Sequence, residues 1–319
     1  MITRDEVIYA YRLLLGREPE NEAVVERFLP LSNWEELRQA FVACAEFKTK
    51  TSAGPAFSAD FNMSPGSNVD VEISDEHFEC LVKHIQTAWE VLGTERPYWS
   101  VLVNPDYLPE KIEAKNVADF YATGESSVHL LEKAAERADK TLPTGGTVFE
   151  LGCGVGRVTA SLARRFKHVI ALDISRPHLE ITQKHLDDLE RKNVTLKQLK
   201  SLETLESLEP FDLFYTVIVL QHNPPPLIYR MLQLIFDKVR AGGFVYFQVP
   251  VAFPGYNFSI AKYLTAVESG EGTMEMHVLP QVYLFRLLDE GGFRILDLQR
   301  DNWAGPAYHS VTVFAEKHS

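Results

Sequence analysis

TVFELGCGVGRVTASLARRFKHVIALD, the stretch from Thr147 to Asp173, decides the fold. It opens on a β-branched and aromatic run, Val148 to Leu151. Pro143, Gly145 and Gly146 precede that run and stop a helix from starting there. A glycine-rich turn follows, then a helical segment from Val158 to Phe166 and a second apolar strand that closes on Asp173. Gly152, Gly154 and Gly156 let the backbone pass close to a ligand at the mouth of that helix. Asp173 lies about 21 positions beyond Gly152, where a doubly wound fold places the acid that takes a pair of ribose hydroxyls.

The glycine spacing separates the nucleotide classes. A dinucleotide fingerprint reads G-x-G-x-x-G and brings a pyrophosphate to the helix N-terminus. Here the order is Glu150-x-Gly152-x-Gly154-x-Gly156, with a carboxylate just before the turn. That carboxylate repels a diphosphate and suits a cationic ligand. The segment E-L-G-C-G-V-G resembles the first motif of class I S-adenosylmethionine (SAM) dependent methyltransferases. The resemblance implies SAM as cofactor, with Glu150, Gly152, Cys153, Gly154, Gly156, Arg157 and Asp173 on its binding side. The competing readings are a tight turn without a ligand and a nicotinamide site.

Bulk properties narrow the partners. The chain has 319 residues and a formal net charge of -12, room for one α/β domain and a smaller companion. The negative balance argues against RNA or DNA as acceptor, because phosphate binding needs a positive footprint. No apolar run is long enough to span a bilayer, and the charged N-terminus does not read as a signal peptide. Cys44, Cys80 and Cys153 follow no zinc or redox spacing, so the expected compartment is the cytoplasm.

Residues 1–50 read as a small helical domain. Ile2, Val7, Ile8, Tyr11, Leu14 and Leu15 fall at helical spacing behind Thr3 as cap, with Gly16 and Pro19 ending the helix. A second helix is expected from Glu20 to Phe28 and a third from Ser32, as cap, to Phe47. YRLLLGREPE resembles a short bacterial helical domain of unknown function found on cell-surface and glycan-related proteins. That resemblance implies protein docking or substrate presentation, against a plain helical addition. Residues 51–72 read as a linker. Residues 73–140 read as a helical lid or substrate region, with Phe78, Leu81, Val82, Ile85 and Trp89 on one core face and a helix from Ser126 or Ser127 to Ala138. In many methyltransferases this region covers the SAM site, and Tyr121 is expected either at the methionine end or in simple packing.

From 141 to 319 strand and helix alternate. Strands are expected at Val194–Leu199, Phe211–Val219, Phe244–Val249, Phe293–Leu298 and Ser310–Ala315, with helices at His178–Lys192, Ile228–Val239 and Gln281–Glu290. The fold class is therefore α/β, a Rossmann-like doubly wound seven-stranded sheet with a small all-helical N-terminal domain. The family resemblance implies a last strand that runs antiparallel.

Two departures from the family stand out. The acid that reads the adenine amino group after the third strand is replaced by Lys200 or Ser201, so Ile174 and Leu202 are expected against adenine. Asn223-Pro224-Pro225 mimics the N-P-P-Y motif of amino-group methyltransferases. However, it follows Leu220-Gln221-His222 rather than the strand end, and VLQHNPPP is similar to the V-L-H-H-x-P stretch of small-molecule enzymes. Pro224 to Pro226 then start the next helix.

The acceptor side is sought at the carboxyl ends of the fourth and fifth strands. His222 is one candidate base. Glu275 and His277, at the end of a long insertion after the fifth strand, form an oriented base pair if that segment is extended. A metal held by His222, Glu275 and His277 has no spacing signature, and none is expected. The expected function is SAM-dependent O-methylation of a sugar or glycan precursor. The rivals are methylation of a small aromatic or lipid-like metabolite and a SAM-binding scaffold without turnover.

Overall fold

The computed structural model describes residues 2–15, 17–47, 68–269 and 274–318. The chain divides into two compact units, Met1–Met63 and Ser64–Ser319. Residues 51–67 of the expected linker, residues 48–50 before it and Gly16 lie outside the described residues.

The first unit contains α1 (Arg4–Ala10), α2 (Glu22–Glu26) and α3 (Trp34–Ala43), with a π turn over Tyr11–Leu15 continuing α1. Thr3 caps α1 in a reciprocal box with Glu6. The third helix is capped one residue later than expected. Asn33 accepts from the Glu36 N–H, while the Glu36 carboxylate accepts from Ser32 N–H. Val7, Tyr11, Leu37 and Phe41 form the core of this unit.

The second unit opens with α4 (Asp75–Glu95), α5 (Pro97–Val101) and α6 (Ala114–Arg137). The last of these corrects the expectation of a break before Ser126, because Gly124 lies inside one continuous helix. A Cβ at Gly124 would stand 2.0 Å from the Arg157 carbonyl oxygen, so α6 packs directly on the backbone just after the glycine turn.

The sheet then forms in sequence. Its strands are β1 (Thr147–Leu151), β2 (His168–Asp173), β3 (Val194–Gln198), β4 (Phe211–Thr216), β5 (Val239–Ala252), β6 (Phe293–Asp301) and β7 (His309–Lys317). The helices between them are α7 (Thr159–Arg165), α8 (Arg176–Asp188), α9 (Leu202–Glu206), α10 (Pro225–Lys238), α11 (Ile260–Ser269) and α12 (Gln281–Glu290). The order is β3-β2-β1-β4-β5-β7-β6. Neighbours from β3 to β5 are parallel, and β7 runs antiparallel to both β5 and β6. β4 stops at Thr216, three residues short of the expected end, and β5 begins at Val239 and runs through Gly242-Gly243. α10 starts at Pro225, where a fixed φ and a missing N–H cost little.

Both faces of the sheet are covered. Phe149, Phe214 and Phe247 face one apolar layer with Phe78, Leu81 and Ile85 of α4. Val148, Tyr215 and Tyr246 face the other with Val128 and Leu131 of α6. The strand order reverses between β1 and β4, and a doubly wound sheet opens its ligand crevice at such a point, beyond the carboxyl ends of the strands.

Candidate active site

A cavity of about 90 Å³ lies at that reversal. Its floor is the glycine turn, Leu172 to Ile174 at the end of β2, and Val217 to Val219 after β4; Ile85, Trp89, Ser100 and Val101 of α4 and α5 close it. The turn is held by hydrogen bonds from Gly152 N–H and Cys153 N–H to the Leu172 carbonyl, at 2.7 and 3.2 Å. Gly152, Gly154 and Gly156 all have positive φ. A Cβ at Gly152 or Gly154 would also overlap Val219 or Val101.

Asp173 accepts from Gly154 N–H at 2.7 Å and from Ser175 N–H at 2.8 Å. One carboxylate thus joins the glycine turn to the start of α8. An ionised carboxylate has about four acceptor positions, so two remain for a diol. Glu150 is buried, and its carboxylate accepts from the Thr159 hydroxyl at 2.6 Å. Burial pushes its pKa up to about 7, against the Thr159 bond and the Arg157 charge, which lower it.

Arg157 is the buried cation of the cavity. Its Nη1 donates to Thr123 and Ser127 of α6 at 3.2 and 2.8 Å. It makes no ion pair among the described residues, and its Nε has no partner; the buried Tyr215 hydroxyl also lacks one. An unpaired buried guanidinium is costly, and a ligand carboxylate would relieve it.

His178 and Trp89 were missed by sequence reasoning. The Ser100 hydroxyl donates to the Pro97 carbonyl, so it accepts from His178 Nε2–H at 2.9 Å. His178 Nδ1 is then a buried acceptor without a partner. Helical periodicity assigns Trp89 to a core face; it lines the cavity as well, edge-on to His222 at 5.4 Å.

Three expected cofactor residues stand elsewhere. Tyr121 donates to the Val155 carbonyl at 3.1 Å and stacks on His185 with centroids 3.5 Å apart, outside the cavity wall. It braces the glycine turn from behind. Leu202 is buried under α4, its N–H bound by Glu79, and Leu199 takes the place beside Ile174. Gly156 packs on Thr182 behind the turn. Glu150, Gly152, Cys153, Gly154, Arg157, Asp173 and Ile174 all line the cavity.

On the acceptor side, His222 lines the cavity, whereas Glu275 and His277 stand behind it. His222 Nδ1–H donates to the Glu275 carbonyl at 2.8 Å, which leaves Nε2 as the acceptor. Burial pulls this imidazole's pKa down to about 4, so it is neutral at physiological pH. Residues 274–280 form no strand, yet the expected pair meets, with His277 Nε2 2.7 Å from Glu275 Oε2. Tyr263 donates to the same oxygen at 2.7 Å, and His84 Nε2 reaches Oε1 at 3.3 Å. Burial raises the Glu275 carboxyl, but the bonds from His277, Tyr263 and His84 outweigh it and the net shift is downward. No group of three His, Cys, Asp or Glu among the described residues is placed to hold a metal.

Ile218 has φ +64°, unusual for a β-branched residue. The Gln248 side-chain Oε1 accepts its N–H at 2.9 Å and holds it there. The Gln248 amide donates to Gln221 and Ser310.

Residues 148–243 match the family model of a methyltransferase domain. The ubiquinone biosynthesis O-methyltransferase of Vibrio cholerae is 25% identical over 132 residues, 41% of this chain and 51% of that one. A tRNA/tmRNA (uracil-C(5))-methyltransferase of Psychromonas ingrahamii is 31% identical over 102 residues, 30% of this chain and 28% of that one. The chain spans about half the length of the first of these relatives. Among solved structures, a magnesium protoporphyrin IX methyltransferase from Synechocystis with bound SAH aligns at 16% identity and a TM-score of 0.49, covering 72% of this chain and 96% of that one. The matched segment runs from β1 into β5 and is similar to a methyltransferase domain, with the glycine turn near its start.

Proposed function

We propose that the chain transfers the methyl group of SAM to a hydroxyl of a small aromatic or lipid-like acceptor. The charge arrangement of the cavity carries this reading. Two buried carboxylates, Glu150 and Asp173, stand with one buried guanidinium, Arg157, that has no ion pair. SAM carries a sulfonium, an ammonium and a carboxylate, a net charge complementary to these three side chains. Loss of the methyl group removes the sulfonium charge, so the same arrangement binds the product less tightly than the donor.

SAM supplies an electrophilic methyl group and needs no metal for the displacement. The chain's own residues orient the partners and exclude water. Glu150 would hold the ammonium, Arg157 the carboxylate and Asp173 the ribose. His222 Nε2, 3.3 Å from the Gln221 side-chain amide, would take the proton of the acceptor hydroxyl, to whose oxygen bound SAM would supply the methyl group. Glu275 sets the His222 tautomer through its carbonyl, and His277 and His84 fix Glu275; these are positioning residues.

His222 shares its cavity with the apolar Ile85, Trp89, Val217, Val219 and Met231, against Ser100 and Asn223 as polar neighbours. They offer apolar area and few partners for sugar hydroxyls, which supports the aromatic or lipid-like acceptor over the sugar expected from sequence. The O-methylation named for the ubiquinone relatives supports the same choice. The net charge of -12 weighs against a nucleic-acid acceptor. Residues 2–47, which expose Tyr9 and Trp34, are the proposed protein-docking unit.

Incubation with methyl-labelled SAM and cell extract, followed by fractionation, tests the reading. Label in an organic-soluble metabolite is expected. Label confined to saccharides replaces the acceptor class, and tight SAM binding with no label in any fraction makes the chain a scaffold.

A further inference from the structure

A second cavity, of about 190 Å³, lies between α6 and the β5–β7–β6 end of the sheet. It is separate from the cofactor cavity, but the two share a wall. Tyr215 borders the first and Tyr246 the second, and their rings stack with centroids 5.6 Å apart.

The chemistry of its lining is specific. Asp297 and Asp301 face it together with Arg137 and Arg300, so its formal charges cancel. Asp297 is paired to Arg137, with Nε 3.0 Å from Oδ2. Asp301 is fixed by the Trp303 N–H at 3.1 Å and the Thr312 hydroxyl at 2.7 Å. Each carboxylate keeps unused acceptor positions. The Tyr246 hydroxyl has no hydrogen-bond partner among the described residues, and its burial keeps it protonated and therefore a donor. Trp303 is 37% exposed and offers a flat apolar surface at the mouth.

Donors, acceptors and an aromatic face with no net charge match a ring that is apolar on one side and carries hydroxyls at its edge. Asp297 is already paired with Arg137, and both Asp301 oxygens already accept from neutral donors. We propose that this cavity binds a neutral sugar ring, stacked on Trp303 with its hydroxyls on Asp301, Asp297 and Tyr246. The proposal does not rest on the methyl-transfer reading, because binding here needs neither SAM nor turnover.

Saturation-transfer NMR on the full chain without SAM tests it, using methyl glycosides of glucose, galactose, mannose and rhamnose, with choline and inorganic phosphate as charged probes. At least one glycoside is expected to bind saturably at millimolar concentration. Trp303→Ala should weaken that binding at least fivefold, and Tyr246→Phe, which keeps the ring packing, at least twofold. The Tm of Trp303→Ala should stay within about 3 °C of the parent, which shows that the variant is folded. No glycoside signal overturns the proposal, and so does a signal unchanged in both variants or preferential binding of choline or phosphate.

Discussion

Thr159 donates its hydroxyl to the buried Glu150 carboxylate at 2.6 Å, the only hydrogen bond that this carboxylate accepts among the described residues. In the proposed ammonium-binding role, Glu150 has most of its acceptor capacity free and a pKa raised to about 7 by burial. A bound ammonium lowers that value, so SAM binding and release of the Glu150 proton are linked. Affinity should fall about tenfold per pH unit below 7, until the bound-state pKa is reached. It should fall again above about pH 8, where an α-amino group loses its charge. Calorimetry from pH 5.5 to 8.5 in two buffers of different ionisation heat checks this; a flat profile removes Glu150 from the ammonium site.

The same shift has a sign for stability. The folded protein holds the Glu150 proton more tightly than the unfolded chain does, where the ordinary value is 4.5. This contribution is fully present below about pH 4.5 and is lost as pH rises through about 7. Glu150→Gln, which still accepts from Thr159, should therefore have a higher Tm than the parent at pH 8 while binding SAM at least tenfold more weakly. A lower Tm for the variant at that pH would contradict the burial argument.

Asp173 carries two duties. Asp173→Ala removes the proposed ribose acceptor and also strands the N–H groups of Gly154 and Ser175, a loss of about 1–3 kcal/mol for each group left buried. SAM affinity is expected to fall at least tenfold, with a lower Tm in the ligand-free protein. Calorimetry well below that Tm separates the two effects, and unchanged affinity would remove the ribose role.

The β1–β2 unit was legible because its information is local. Strand, glycine turn, helix and closing acid follow one another within 27 residues of sequence, and each rests on backbone rules that need no distant partner. Gly124 was misread for the opposite reason. Gly-Glu-Ser-Ser has the composition of a break, yet α6 passes through it because only a glycine lets the helix lie on the Arg157 carbonyl, a contact made across 33 residues. Glu275 and His277 stood out by residue type, but their place behind His222 depends on an irregular segment with no period to read. His84 and Trp89 lie on an amphipathic helix whose apolar face signals burial alone, and helical spacing does not distinguish a core wall from a cavity wall.

Gly124→Ala provides the steric test. The new methyl carbon would sit 2.0 Å from a backbone oxygen that cannot swing aside. Forced separation of α6 from the glycine turn should cost about 2–4 kcal/mol, at the upper end of overpacking and larger than the helix propensity gained. Gly145→Ala, with nothing within 4 Å of the new atom, should be close to neutral. Urea unfolding of the two variants measures the contrast, and equal midpoints would mean that α6 does not press on Arg157.

His222 predicts how turnover depends on pH. Its imidazole is neutral down to about pH 4, and its Nδ1 proton is committed to the Glu275 carbonyl. At saturating SAM and acceptor, kcat should therefore show no fall from pH 8 to pH 5.5, while the KM for SAM rises through Glu150. His222→Gln should lower kcat by about 100-fold or more, the scale of a lost general base, with SAM affinity within a few-fold of the parent. Glu275→Gln keeps the carbonyl that orients His222 but weakens the charged bonds to His277, Tyr263 and His84. Its kcat should fall less than that of His222→Gln, with faster hydrogen exchange across residues 274–280. If Glu275→Gln proves as damaging as His222→Gln while exchange there is unchanged, the carboxylate itself takes part in the chemistry and the order of the two residues must be reversed.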